Sequence, residues 1–253
     1  MKKTALAAFL VAMTPVASHA DLLFTVGAKA SVWSPEPTGQ LDDGVSVDNE
    51  TNGLGLESDS GTQLTVFFEH PVPVIPNIRI RQTSLDMSGS GILTTSGFGD
   101  QDISGPVDSE LDLSHTDFTA YWGAPLPVPY LDINFGLTVR AFDGSAIVES
   151  TVADVREEVD LNFALPMGFL EAQVGTPFGL YAQAEINYIA YDGNSLSDTM
   201  IGLGYDLPIP VVDVALDLGH RAISMKTNDD TTDIATDFEV SGMYYGASLA
   251  FGF

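Results

Sequence analysis

The chain contains no cysteine. That excludes disulfide scaffolds, thiolate metal sites, a cysteine nucleophile and a lipid anchor on an N-terminal cysteine, although an exported protein is free to form disulfides. Basic residues are scarce: nine Lys and Arg stand against 35 Asp and Glu, for a formal charge of −26. A surface of that sign repels phosphate backbones, so nucleic acid is excluded as a partner class. Long apolar runs are missing as well. Beyond residue 20 nothing approaches the roughly 20 apolar residues that a membrane-crossing helix needs, so any insertion into a bilayer must use strands.

What is present begins with a leader. Lys2 and Lys3 precede an apolar run from Ala5 to Met13, then Pro15 and Ser18-His19-Ala20. A basic start, a short apolar stretch and small residues at −3 and −1 form the template of a secretory signal peptide. Residues 1–20 are therefore expected to be removed near Ala20, leaving 21–253 as one domain that begins at Asp21.

That domain is a repeat of hairpins. Proline-rich stretches at 71–76, 125–129 and 208–210, and a shorter one around Pro177, each separate two strand-like runs. Proline cannot donate to a sheet ladder, so these mark turns. Between them lie longer polar stretches, near 34–60, 87–112, 143–165, 192–198 and 224–238. Short turns alternating with long loops is the pattern of an outer-membrane barrel. Ten strands are expected, near 22–33, 61–70, 77–86, 113–123, 130–142, 166–175, 180–191, 199–206, 212–223 and 239–253; eight is the runner-up. The fold class is thus all-β, a transmembrane antiparallel up-and-down barrel. A soluble β-sandwich would also alternate, but the leader, the turn–loop asymmetry and the last strand favour the barrel.

Alternation assigns faces. In the fifth strand Leu131, Ile133, Phe135, Leu137 and Val139 share one face, and Asp132, Asn134, Gly136, Thr138 and Arg140 share the other. At the end of the chain Tyr245, Ala247, Leu249, Phe251 and Phe253 alternate with small residues, as expected of a strand that closes against the first and is handled by the barrel assembly machinery. Phe68, Trp122, Tyr205, Phe251 and Phe253 all flank short turns on the apolar face, which predicts an aromatic girdle at the inner lipid interface. Outer-membrane lipid and lipopolysaccharide are the implied surroundings.

The leader, the Pro-x-Pro turns, Tyr191-Asp192-Gly193-Asn194 and the terminal Phe-x-Phe together resemble a family of Gram-negative outer-membrane β-barrel proteins. The resemblance implies an outer-membrane location after export through the periplasm. It brings no reaction, no cofactor and no catalytic residues.

The same alternation turns Lys29, Arg79, Arg81, Arg140 and Arg221 inward, together with Asp117, Asp132, Glu171, Glu185, Asp213 and Asp217. Arg or Lys at mid-depth on the lipid face would cost about 2–4 kcal/mol. These charges are expected to form a salt-bridged lumen network; a selectivity ring in a narrow, porin-like diffusion channel is the alternative.

The ten-stranded outer-membrane proteases, the omptins, use an acidic pair and an Asp-His pair at the barrel mouth. Asp100-Gln101-Asp102 has the spacing of the acidic pair, but no Asp-x-His occurs. A reversed His115-Thr116-Asp117 shares one inward face, where a carboxylate can orient an imidazole base. Ser114 is adjacent to His115 and so points to the opposite face. The expectation is a non-enzyme with a structural or surface-contact role, with a barrel-mouth hydrolase third after the channel. The acidic loops, including Asp48, Glu57, Asp108, Glu110 and Asp237, lack an EF-hand pattern. They are expected to be solvated, with weak Ca²⁺ or Mg²⁺ binding as their alternative role; no dedicated metal site is expected.

Overall fold

The computed structural model describes residues 24–41, 44–58, 60–93, 103–228 and 236–253. In chain order the strands are β1 (Thr25–Leu41), β2 (Val45–Ser46), β3 (Leu56–Ser58), β4 (Gly61–Glu69), β5 (Asn77–Ser84), β6 (Asp86–Leu93), β7 (Gly105–Asp112) and β8 (His115–Gly123). They continue as β9 (Leu131–Phe142), β10 (Gly144–Ser150), β11 (Arg156–Leu161), β12 (Ala164–Gly175), β13 (Leu180–Tyr191), β14 (Asn194–Leu207), β15 (Asp213–Thr227) and β16 (Thr236–Gly252). The leader, Asp100 and Asp102 lie outside the described residues.

Ten of these strands, β1, β4, β5, β8, β9 and β12 to β16, form an antiparallel wall, and β16 returns to β1 to close it. The closing pair runs from Thr25 opposite Gly252 to Leu41 opposite Thr236. Phe24 and Phe253 lock its end by exchanging N–H···O bonds of 3.0 and 2.9 Å. Closure removes every edge from the wall, as a lipid environment requires. Its outer face is apolar: Leu137, Ile201, Leu203 and Tyr245 are each more than 60% exposed. No soluble sandwich presents such a belt to water.

At the turn end Phe68, Tyr205, Phe251 and Phe253 are exposed on this outer face and Trp122 is half-buried. Phe24 stacks on Phe68 at 5.7 Å and Trp122 on Phe135 at 6.4 Å.

The loop end departs from expectation. Much of the stretches expected as polar loops is strand: β3, β6, β7, β10 and β11 form a second sheet in the order β11-β10-β7-β6-β3. The β6–β7 hairpin carries the directions of β5 and β8 onward through a corner at Leu85 and Leu113-Ser114. That corner satisfies its own backbone groups. Leu113 N–H donates to Leu85 O at 2.9 Å, Leu85 N–H to Ser114 Oγ at 3.1 Å, and Ser114 N–H to Asp112 Oδ1 at 2.8 Å. The stretch 192–198 contributes to β14, which meets β13 at a tight turn. Strand β1 runs through Pro35 and Pro37, beyond the point where its pairing with β4 ends at Trp33 and Gly61. Proline is tolerated there because that flank of the strand has lost its partner.

The central strands of the second sheet, β6 and β7, bury alternate residues. In β7, Val107, Ser109 and Leu111 face inward while Asp108 and Glu110 face outward. Val107 and Leu111 join Val45, Leu54, Leu85, Phe142, Met167 and Val240 in one apolar core that covers the loop end of the barrel. Each fully buried Val or Leu side chain there contributes about 1.5–3 kcal/mol.

Candidate functional site, a buried ion network in the lumen

Three groups of charges fill the lumen beneath this core, and each group is electrically neutral. Nearest the core, Arg140 on β9 grips Asp117 on β8 through Nε and Nη2, both at 2.8 Å, and reaches Asp198 on β14 at 2.5 Å. Arg221 on β15 grips the same Asp198 through Nε at 2.9 Å and Nη2 at 2.6 Å, and donates to Thr83 Oγ1 at 3.3 Å. Its guanidinium lies 4.9 Å from the ring centroid of Trp33. Arg140, Arg221 and Trp33 are entirely inaccessible. The planar fork of arginine suits two carboxylates at once, where a lysine would present a single point charge.

Nearer the turns, Arg79 pairs with Glu171 at 2.7 Å and with Glu185 at 3.0 Å, and Arg81 holds Glu185 through both terminal nitrogens, at 2.6 and 2.9 Å. The Arg79 guanidinium also lies over the rings of Tyr121 and Phe169, at 5.0 and 5.3 Å. Lys29 binds Asp217 at 2.6 Å. Two other inward rings, Tyr181 and Phe67, fit because the wall is thinned beside them. A Cβ at Gly204 would stand 2.1 Å from the Tyr181 ring, and one at Gly27 would stand 2.1 Å from that of Phe67. A cavity of about 170 Å³ is bordered by Lys29, Arg79, Glu171, Gln183 and Ser248.

Of the inward charges expected, Lys29, Arg79, Arg81, Arg140, Arg221, Asp117, Glu171, Glu185 and Asp217 are brought together. Asp132 and Asp213 are not. Each stands at the turn end of its strand and is exposed, because alternation gives facing but not depth. Asp198, which bridges the two most buried arginines, escapes the sequence reading because the stretch 192–198 has the composition of a loop. The signal was available, since Asp198, Met200, Gly202 and Gly204 alternate with exposed Ile201 and Leu203 on one strand.

His115 does not serve as an accessible base. It is 3% exposed, its Nδ1 bonds the Leu113 carbonyl at 2.8 Å, and its Nε2 sits 3.5 Å from Arg221. That leaves Nδ1 as the protonated nitrogen, since a carbonyl only accepts. The carboxylate of Asp117 is held by Arg140. His115, Asp117 and Asp198 do bring donor atoms within 4.8 Å of one another. Two guanidinium groups already neutralise both carboxylates, so a divalent ion there would have to displace Arg140 and Arg221.

The second sheet presents Glu57, Asp86, Asp108, Glu110, Glu149 and Glu158 on its outer face, with Arg156 among them. A groove of about 390 Å³ is lined by Glu57, Asp86, Glu110 and Asp112. Asp86 and Asp112 are directly opposite across the β6–β7 pair. Partial desolvation, reinforced by the Asp112 carboxylate, raises the Asp86 carboxyl above its ordinary range.

No family model matches the chain, and no curated protein matches it. Similar solved structures are outer-membrane barrels. The outer membrane protease OmpT from Escherichia coli is 11% identical over 90% of this chain and 97% of its own, with a TM-score of 0.46. CymD, a monoaromatic hydrocarbon channel, is 11% identical over 91% of this chain and 88% of its own, with a TM-score of 0.37. A Pseudomonas aeruginosa FadL homologue is 9% identical over 91% of this chain and 90% of its own, at 0.31. The expectation of a non-enzyme is corrected on the first of these findings: a protease stands among the similar barrels. That expectation rested on the missing Asp-x-His spacing, and spacing is a poor test, because catalytic groups in a barrel are assembled across strands and recognised by geometry. The strand pairings themselves establish the fold as a closed ten-stranded β-barrel of the outer-membrane type.

Proposed function

We propose that this barrel works by surface contact at its loop end, with its lumen closed to solutes. The observation that carries the proposal is the seal, in which paired charges are stacked beneath an apolar core that runs into the second sheet. A selectivity ring needs charges of one sign facing a water-filled path. Here each cluster is neutral, and Arg140 and Arg221 are fully buried. The acidic face of the second sheet is the surface left to meet other molecules. Divalent cations that bridge it to neighbouring lipopolysaccharide phosphates suit its charge.

Purified protein in planar bilayers tests the seal. Little steady conductance is expected from the wild type. Large, stable, ion-selective currents whose selectivity changes in the Arg140→Ala variant would establish the channel instead.

A further inference from the structure

The four turns that join barrel strands at the end opposite the second sheet carry no charged side chain, in a very acidic chain. Between Glu69 and Asn77, Gly123 and Leu131, Gly175 and Leu180, and Leu207 and Asp213 there is no Asp, Glu, Lys or Arg. Their tips are apolar and bare: Val74 is 84% exposed, Phe178 65% and Val211 88%. Water-facing turns in a protein of this composition should carry charge and Asn, Asp or Gly. Nine of the fourteen prolines lie here instead.

Prolines remove N–H groups, and several of the donors that remain are satisfied locally. Leu126 N–H bonds Ala124 O at 2.8 Å and Ile209 N–H bonds Leu207 O at 2.7 Å, each a three-residue turn about a proline. Val72 N–H bonds His70 Nδ1 at 3.2 Å, and His70 N–H bonds Asn77 Oδ1 at 3.0 Å. A backbone that needs little water is what a segment lying in lipid requires. Position agrees with composition. The indole N–H of Trp122, a girdle residue on the lipid face, donates to Val74 O at 3.4 Å, so the β4–β5 turn leans over the outside of the wall. Val211 is held at φ 78°, a conformation costly for a β-branched residue, and is exposed.

We propose that the proline turns form an apolar collar, continuous with the aromatic girdle, that inserts into the interfacial region of the inner leaflet. The partner is the lipid itself, at the level of the glycerol backbone and upper acyl chains, where apolar and amphipathic groups settle. The collar extends the apolar band beyond the strand ends and sets the depth of the barrel.

The absence of cysteine makes the test direct. Val74→Cys, Leu126→Cys and Val211→Cys, each labelled with a polarity-sensitive fluorophore, are reconstituted in phosphatidylcholine vesicles with and without acyl-chain bromination, with Asp108→Cys on the second sheet as the aqueous control. The turn labels should emit at shorter wavelength than the control, be strongly quenched by brominated lipid and resist aqueous iodide. Three separate turns keep the test open if one variant fails to assemble. Labels that match the Asp108→Cys control in emission and iodide quenching would overturn the collar and leave the turns as a surface for a periplasmic protein.

Discussion

Removing Asp198 should be the most damaging single truncation in the lumen. Its carboxylate takes two bonds from Arg221 and one from Arg140. In Asp198→Ala, Arg140 keeps its two-pronged grip on Asp117, but Arg221 is left with Thr83, the His115 ring and the Trp33 face. A neutral cluster becomes one net positive charge in a site without solvent access. Breaking a buried pair from one side costs about 3–5 kcal/mol, a large share of the roughly 5–15 kcal/mol that holds a domain together. Asp198→Asn should cost less, since its amide oxygen still accepts from one guanidinium. Asp198→Ala combined with Arg221→Met should cost less than Asp198→Ala alone, because the stranded cation is gone. Urea unfolding in lipid vesicles, followed by tryptophan fluorescence, measures all three, and Trp33 reports locally through its contact with Arg221. The built-in control is Asp237→Ala, which breaks the Lys226–Asp237 pair, 61% and 73% exposed; pairs of that kind are worth about 0–1 kcal/mol. If Asp198→Ala unfolds no more readily than the control, water reaches the cluster and the lumen is not sealed.

Two further outcomes follow from the ends of the barrel. Phe253→Asp should reduce assembled, protease-resistant barrel in outer-membrane fractions, since Phe253 closes the wall through its bonds to Phe24 and packs 6.0 Å from that ring; equal levels would refute a role for this strand end in assembly. The raised Asp86 carboxyl gives the second sheet a stability contribution that is full below the group's unfolded pKa and lost as pH rises through its higher folded value. Amide protection factors in β6 and β7, taken relative to the unfolded-chain exchange rate at each pH, should therefore fall as pH rises through the folded value of the Asp86 carboxyl, less so in Asp86→Asn, and millimolar Ca²⁺ should raise them; pH-independent protection, or no Ca²⁺ effect, would count against the pairing and the bridging respectively.

Strand number and facing were legible because period-two alternation is a local signal that every barrel strand must display. Leu137 outside and Arg140 inside follow from that rule alone. Two things were not legible. Depth was lost, as with Asp132 and Asp213, because alternation says nothing about height along a strand. The second sheet was also lost. Val107, Ser109 and Leu111 alternate with Asp108 and Glu110, but the neighbouring Asp, Ser and Gly gave the stretch the composition of a solvated loop. Only the long-range pairing of β7 with both β6 and β10 reveals a buried face. Asp198 was hidden in the same way, in a stretch whose polarity outweighed its register.

The ion network is a poor device for stability alone, since well-packed apolar side chains of similar volume are often equal or better than a buried pair. Its geometry points to a different use. Arg79 and Arg81 on β5 reach carboxylates on β12 and β13, Arg140 on β9 reaches β14, and Arg221 on β15 reaches Thr83 on β5. None of these strand pairs are neighbours in the wall, so the contacts tie opposite sides of the barrel across the lumen. A one-residue slip in any tied strand would turn its arginine toward lipid, at about 2–4 kcal/mol near mid-depth, and turn its leucines and valines inward. The charges therefore specify one register among the many that an alternating strand permits. The same contacts that fix the register also occupy the lumen, so selection for correct closure and selection for a seal act on the same residues.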